Sequence, residues 1–182
     1  IPPHRQPAVQ VIRRGGEHLL GLIEGTLDIA RIESGKLALD VRPMRLREVI
    51  RELATLFEQQ AQAKGIGFQV IGVDALPELV RADERRLRQI LINLLGNAVK
   101  FTRQGQVTLR AAYTGQMARF EVVDTGPGMD EAERARVFEP FERGSAAGGS
   151  AAGGTGLGLT ISRMLTGLMG GELTLDSTPG QG

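Results

Sequence analysis

The sequence contains no cysteine. That excludes a disulfide framework and every thiolate metal site, and it sits comfortably with a reducing compartment. Charge of one sign is also missing, since 22 basic and 21 acidic side chains leave a net +1. Without a basic excess or a Lys/Arg block, nucleic acid is not an expected partner. No run of about 18 apolar residues could span a bilayer, and the N-terminus lacks the charged-then-apolar layout of a signal peptide. Lysine is scarce as well, with Lys36, Lys64 and Lys100 standing beside an arginine-dominated remainder. What is plentiful is glycine, at 25 of 182 residues, about twice the usual share. A chain of this length can bury roughly 70% of its unfolded surface and form a core without staples.

Prolines in the first seven residues prevent a helix from extending backwards. From Ala8 to about Ser34 the pattern is helical. Val9, Ile12, Gly16, Leu19, Ile23, Thr26 and Ala30 advance in threes and fours, with Leu20 and Leu27 widening the stripe. This is the seam of a coiled coil or bundle, or of a helix packed on its own domain. Gly35 stops it, and Lys36–Val41 alternates like a short strand. A second amphipathic helix is expected over Arg45–Lys64, a strand over Ile66–Val73 and another over Leu79–Ala82. Asp83 is a suitable N-cap for a third helix reaching about Phe101. Gln106–Tyr113 and Met117–Asp124 read as a hairpin, Asp130–Val137 as a short helix, Leu157–Met169 as a helix and Glu172–Ser177 as a strand. Glu139–Gly154 is small and polar beyond Phe141, as a functional lid or a linker would be. The central hairpin argues against a purely parallel sheet. The expected class is α+β: a two-layer α/β sandwich with a mixed, mainly antiparallel sheet and helices on one face, preceded by one long helix.

Three clusters could carry chemistry. Asn93, Asn97 and Lys100, at i, i+4 and i+7, share one face of the third helix. Asparagine oxygens suit a hard cation that already carries anionic ligands, and Mg²⁺ bound with phosphates is that case; the bland alternative is a solvated helix edge. Asp124-Thr-Gly126-Pro-Gly128-Met129 puts a carboxylate at a strand end before a glycine turn, which alone could be a plain turn. Gly154-Thr155-Gly156-Leu157-Gly158-Leu159 opens a helix and would expose backbone N–H groups at its positive end, a natural phosphate site. The spacing fits neither G-x-G-x-x-G nor the P-loop, so dinucleotide and P-loop readings fail.

Taken in order, these stretches resemble the catalytic and ATP-binding domain of sensor histidine kinases, within the GHKL group shared with type II topoisomerases, MutL-type proteins and a heat-shock chaperone. Asp83–Thr102 is similar to the family's N box, Asp124–Met129 to its first glycine box, Phe138–Arg143 to its F box and Gly154–Leu159 to its second glycine box. The tail Ser177-Thr-Pro-Gly-Gln-Gly182 looks like the family's closing segment, and Ile12–Leu20 with Asp28–Leu37 like the second helix of a dimerisation hairpin and its exit. The resemblance implies two parts: residues 1–36 as the end of the dimerisation and phosphotransfer hairpin, and 37–182 as a catalytic domain short of its last strand.

By the same resemblance Asn97 is the Mg²⁺ ligand, with Asn93 nearby and Lys100 on phosphate. Asp124 accepts the adenine amine, which favours adenine over guanine because a carboxylate only accepts. Gly126 and Gly128 let the backbone approach the base. Phe101 lies among the nucleotide contacts, Phe138 and Phe141 anchor the lid, and Arg143 points to the terminal phosphate. Gly154, Thr155, Gly156, Leu157 and Gly158 wrap the phosphates. The implied cofactors are ATP and Mg²⁺, and the implied reaction is transfer of the γ-phosphoryl to a histidine. The implied partners are a second copy, through the N-terminal helix, and a response-regulator receiver domain. The expected location is cytoplasmic, with membrane anchoring of a longer parent left open. Neither His4 nor His18 stands in the family's H-E-x-x-x-P setting, so the acceptor is expected outside this stretch. A nucleotide-binding or dimerisation module without kinase activity is the alternative.

Overall fold

The structure, a computed structural model, describes residues 6–142 and 155–182. His4, Arg143, Gly154 and most of the expected lid lie outside the described residues. Helix α1 runs Gln6–Glu33, and Gly35 ends it with φ +64. The Lys36 and Gly35 amides return to the carbonyls of Arg31 and Ile32, the double bond pattern of a left-handed C-terminal cap. Strand β1 (Arg42–Arg45) leads straight into α2 (Leu46–Lys64), which Gly65 closes in the same way. Then follow β2 (Gly67–Ile71), a 3₁₀ turn, β3 (Leu79–Ala82), α3 (Glu84–Phe101), β4 (Gln106–Thr114), β5 (Met117–Asp124), α4 (Glu131–Arg136) and α5 (Gly158–Leu168).

The main sheet has the order β2-β4-β5, with β2 parallel and β5 antiparallel to β4; β1 and β3 form a separate antiparallel pair. Gly115 and Gln116 make the two-residue hairpin loop, both at positive φ. That is the turn whose twist matches the flanking strands. Val107, Leu109 and Ala111 alternate inward along β4 and meet the apolar faces of α2 (Ile50, Leu53, Phe57) and α3 (Leu91, Leu95, Ala98). A second, smaller cluster joins Leu37, Ile90, Leu157, Ile161 and Leu165, with Leu22, Ile29 and Ile32 of α1 packed against it.

Two expected strands are corrected. Lys36–Val41 is extended but joins no ladder, because the Asp40 amide donates to Oδ2 of Asp83 at 2.9 Å instead of to a strand. Its alternation is real, since Leu37 and Leu39 turn into the smaller cluster. Glu172–Ser177 also joins no ladder, although half-buried and exposed residues alternate along it. Alternation records which face is covered, while a strand needs a partner backbone.

The long helix holds a further finding. The stripe of Val9, Ile12, Leu19, Leu20, Ile23 and Leu27 stays exposed. The face that meets the rest of the molecule is Gly21, Leu22, Gly25, Asp28, Ile29 and Ile32.

Candidate nucleotide site

Helix α3 is the common wall of the site. Asp83 caps it, its Oδ1 accepting from the Arg86 amide at 3.0 Å. Its other end is held from α2, where Lys64 Nζ donates to the carbonyl oxygens of Val99 (2.5 Å) and Lys100 (2.6 Å). A cation there also opposes the negative end of the helix dipole. Burial, and then the charge of Arg103, lower the pKa of Lys64 from its ordinary value. With both ends fixed, Leu87, Leu91, Leu95 and Ala98 face the core. Asn93, Asn97 and Lys100 are left half-buried along the opposite edge.

The two asparagines, one turn apart, behave differently. Asn93 donates from Nδ2 to Oγ of Ser162 on α5 at 2.8 Å. Its Oδ1 lies so close to Gly158 that a Cβ there would overlap it. Asn93 is therefore clamped between positions 158 and 162, which share one face of α5. Among the described residues nothing hydrogen-bonds the Asn97 carboxamide. Lys100 Nζ stands 4.5 Å from the Phe101 ring centre, a cation–π distance, and Phe101 itself is exposed.

At the far end of α3 lies the first glycine turn. Asp124, last residue of β5, accepts from the Gly126 amide through Oδ1 at 2.8 Å. Gly126 is buried, and a Cβ on it would stand 2.6 Å from that oxygen and 3.5 Å from the carbonyl of Phe101. The turn thus rests on the end of α3. Thr125 Oγ1 accepts from the Gln106 amide and fixes the turn to β4. Gly128, at φ +67, is approached by the carbonyl of Thr178 in the chain's own tail.

The second glycine stretch meets the phenylalanine segment. Phe141 donates its amide to the Gly156 carbonyl at 3.0 Å, and a Cβ at Gly156 (φ +72) would lie 2.8 Å from Phe141 Cα. Phe141 adopts φ +66 and is 59% exposed. Thr160 Oγ1 donates to the Phe138 carbonyl at 2.8 Å, and the Arg163 guanidinium sits 5.0 Å from the Phe138 ring centre. Thr155 Oγ1 accepts from the Leu157 amide at 3.3 Å. The Leu157 side chain is fully buried toward Gly25, so its backbone is what it can offer a ligand.

The structure therefore brings Asn93 to Gly158 and Phe101 to Gly126, with Asn97 and Lys100 between them. Eight residues of helix separate the two contacts, about 12 Å along the axis. Among the described residues no three His, Asp or Glu side chains gather to hold a metal. The uncommitted Asn97 carboxamide has the chemistry of a single neutral oxygen donor to a cation that arrives on phosphates. Sequence reasoning did not reach Ser162, and it gave no individual role to Ser177, Arg86, Gln89 or Asp28, which stood only within longer motifs. Ser162 was within reach, because it follows Gly158 by one turn on the face that meets α3.

Residues 82–182 match the family described as histidine kinase-, DNA gyrase B- and HSP90-like ATPase. The chain belongs to this family. The circadian input-output histidine kinase CikA of Synechococcus elongatus is 43% identical over 176 residues, covering 96% of this chain and 23% of that protein. The virulence sensor protein BvgS of Bordetella bronchiseptica is 44% identical over 191 residues, covering 99% and 15%. Among solved structures, full-length ShkA in complex with AMPPNP is similar at TM-score 0.81 and 37% identity, covering 100% of this chain and 37% of that one. The nucleotide-free catalytic domain of histidine kinase ThkA is similar at TM-score 0.60 and 30% identity, covering 72% and 82%. The chain spans about a quarter or less of the curated relatives it matches. It is a histidine kinase-type ATPase domain, as its relatives' names and its α+β fold agree. No described helix is long and apolar enough to cross a membrane.

Proposed function

We propose that the chain binds Mg-ATP along the polar edge of α3 and donates its γ-phosphoryl to a histidine of another segment, in two-component signalling. One observation carries this reading. A half-buried carboxamide without a hydrogen bond among the described residues, Asn97, lies between two glycine turns on a single helix edge. Asp124 then accepts the adenine amine through Oδ2, since Oδ1 is engaged by Gly126. Lys100, with Arg143 beyond the described residues, neutralises phosphate charge. The first turn of α5 offers amides at the positive end of its dipole. Asn97 would hold Mg²⁺, which supplies charge neutralisation on the phosphates. The rest of the work is positioning: the P–O bond to the β-phosphate breaks as a P–N bond to imidazole forms, leaving ADP.

The exposed stripe of α1 is the surface through which two copies pair, residues 1–36 forming part of the phosphotransfer hairpin and 37–182 the donor domain. The phosphohistidine then serves a receiver domain, and use of ATP places the work in the cytoplasm. The test supplies ATP labelled at the γ position together with a separate hairpin bearing the acceptor histidine. Label on the hairpin that vanishes with Asn97→Ala is the expected result. ATP binding without any label on the hairpin would leave a nucleotide-binding module and end the kinase reading. Free phosphate released with no phosphoprotein would point to a simple ATPase.

A further inference from the structure

The Asp124–Met129 turn is secured unevenly. Its first half is held from β5 and β4, by the Gly126 amide on Asp124 and the Gln106 amide on Thr125. Its second half is held from far along the chain. The Met129 amide donates to Ser177 Oγ at 2.9 Å, and the Gly180 amide donates to the Pro127 carbonyl at 2.7 Å. The Gly128 backbone is pressed against the Thr178 carbonyl, and Gly182 against the carbonyl of Asp124 itself. The tail is closed into a compact loop by Thr178 N to Gly182 O (2.9 Å) and Gln181 N to Thr178 O (3.0 Å). Ser177 Oγ joins the two systems, accepting from Met129 while donating to Gly182 O at 2.8 Å. A hydroxyl has one proton to give and can accept more than one, and this one is used in both senses.

We infer that Ser177 is a positioning residue of the nucleotide site: through Met129 its hydroxyl fixes the glycine turn, and so the Asp124 carboxylate, against the end of α3. The inference rests on the adenine reading of Asp124 given above and adds a residue some fifty positions away in sequence to that specificity. Asp124 is fixed on one side by β5, and the path of the following turn sets where its carboxylate stands relative to Phe101. Without the Met129 bond the second half of the turn keeps only the Gly180–Pro127 bond, so Gly126 shifts against the Phe101 carbonyl and the base meets a less well placed acceptor. The phosphate contacts offered by the first turn of α5 lie beside Asn93, eight residues back along α3, and should not change.

The test is a titration of Mg-ATP, Mg-GTP and tripolyphosphate into the wild-type chain, Ser177→Ala and Ser177→Thr, with the melting temperature of each. Loss of one such hydrogen bond should weaken ATP about three- to tenfold. Tripolyphosphate affinity should hold, the ATP-over-GTP preference should shrink, and Ser177→Thr should restore it. Amide exchange adds a measurement needing no variant, in which the Met129 N–H of the wild-type chain exchanges slowly. Rapid exchange there overturns the inference. So does a Ser177→Ala chain that binds ATP as well as wild type, or one losing ATP, GTP and tripolyphosphate alike in step with its melting temperature. A wild-type chain that binds no Mg-ATP overturns the nucleotide reading together with it. ATP binding intact in both chains removes only the role of Ser177.

Discussion

The two apolar clusters of this molecule are built on different terms. The larger one closes α2, α3 and the main sheet over Leu46, Ile50, Leu91, Leu95, Val107 and Leu109, all at or near zero exposure. The smaller one lies where α1 meets α5, and charge runs through it. Arg86 Nη1 reaches Asp28 Oδ2 at 3.1 Å with side chains 9% and 16% exposed, and Gln89 donates to the same oxygen at 3.0 Å. Close approach there depends on Gly25, where a Cβ would stand 2.9 Å from Leu157 Cδ1. An apolar core of shape-matched leucines holds a domain together. A seam where α1 brings a glycine, an ion pair and the half-buried Leu22, Ile29 and Ile32 against the buried Leu157 and Leu165 is a smaller contact, and it should give way before the larger core does.

The largest effect should come from the larger cluster. Leu95→Ala should cost about 2–5 kcal/mol and shift the unfolding of the whole chain, followed by chemical denaturation; nucleotide binding would fall with it. At the seam, Asp28→Asn keeps the shape but leaves Arg86 without its counter-charge. Breaking such a pair costs about 3–5 kcal/mol when fully buried, and a value near 2 is expected here because both groups keep some contact with water. The loss should appear as release of α1, read as faster amide exchange along Gly21–Ile32 and cleavage near Gly35, while the larger body melts as before. A single transition moving as one unit would contradict the division. Thr160→Val removes the hydroxyl donated to Phe138 and should cost about 1 kcal/mol. Its readout is faster exchange at the Phe141 amide. Smallest of all, Lys64→Met removes a cation and its two bonds at the end of α3; burial already disfavours that charge, so a net cost of less than about 1 kcal/mol is expected. The sign of its pH effect follows from the lowered pKa of Lys64. Between the folded and the ordinary value the unfolded chain binds more protons, so Lys64 adds stability as pH rises through that alkaline window. The variant should lose that slope.

The same contrast explains what could be read in the sequence. Helices α2, α3 and α5 and the hairpin lie within two residues of their expected bounds, because periodicity, Asp83, Gly65 and the Thr114-Gly115-Gln116 junction all point one way. Helix α1 was placed correctly, but its apolar stripe, read as the seam of a bundle or as a face packed on its own domain, does not pack on this domain; the contact is made by Gly21, Gly25 and Asp28 with Leu22, Ile29 and Ile32. Hydropathy does not register a glycine whose use is to admit Leu157. Lys36–Val41 and Glu172–Ser177 alternate as strands do without pairing, and pairing is a property of two segments.

For the site, Asn93, Asn97, Asp124 and the glycines were visible as motifs. The division of labour between the asparagines was not, since it depends on Ser162, sixty-nine residues beyond Asn93. Ser177 stood in the tail that resembles the family's closing segment, but its bond to Met129, forty-eight residues back, was not visible there.

The most direct test of the central claim is a calorimetric titration of Mg-ATP into the wild-type chain, Asp124→Asn and Asn97→Ala. Asp124→Asn preserves an oxygen for the Gly126 amide yet loses the charge-assisted acceptor, so affinity should fall about tenfold or more. Asn97→Ala should erase most of the difference between titrations with and without Mg²⁺. Unchanged affinity in the first variant and unchanged Mg²⁺ dependence in the second would show that the polar edge of α3 is not where the nucleotide binds.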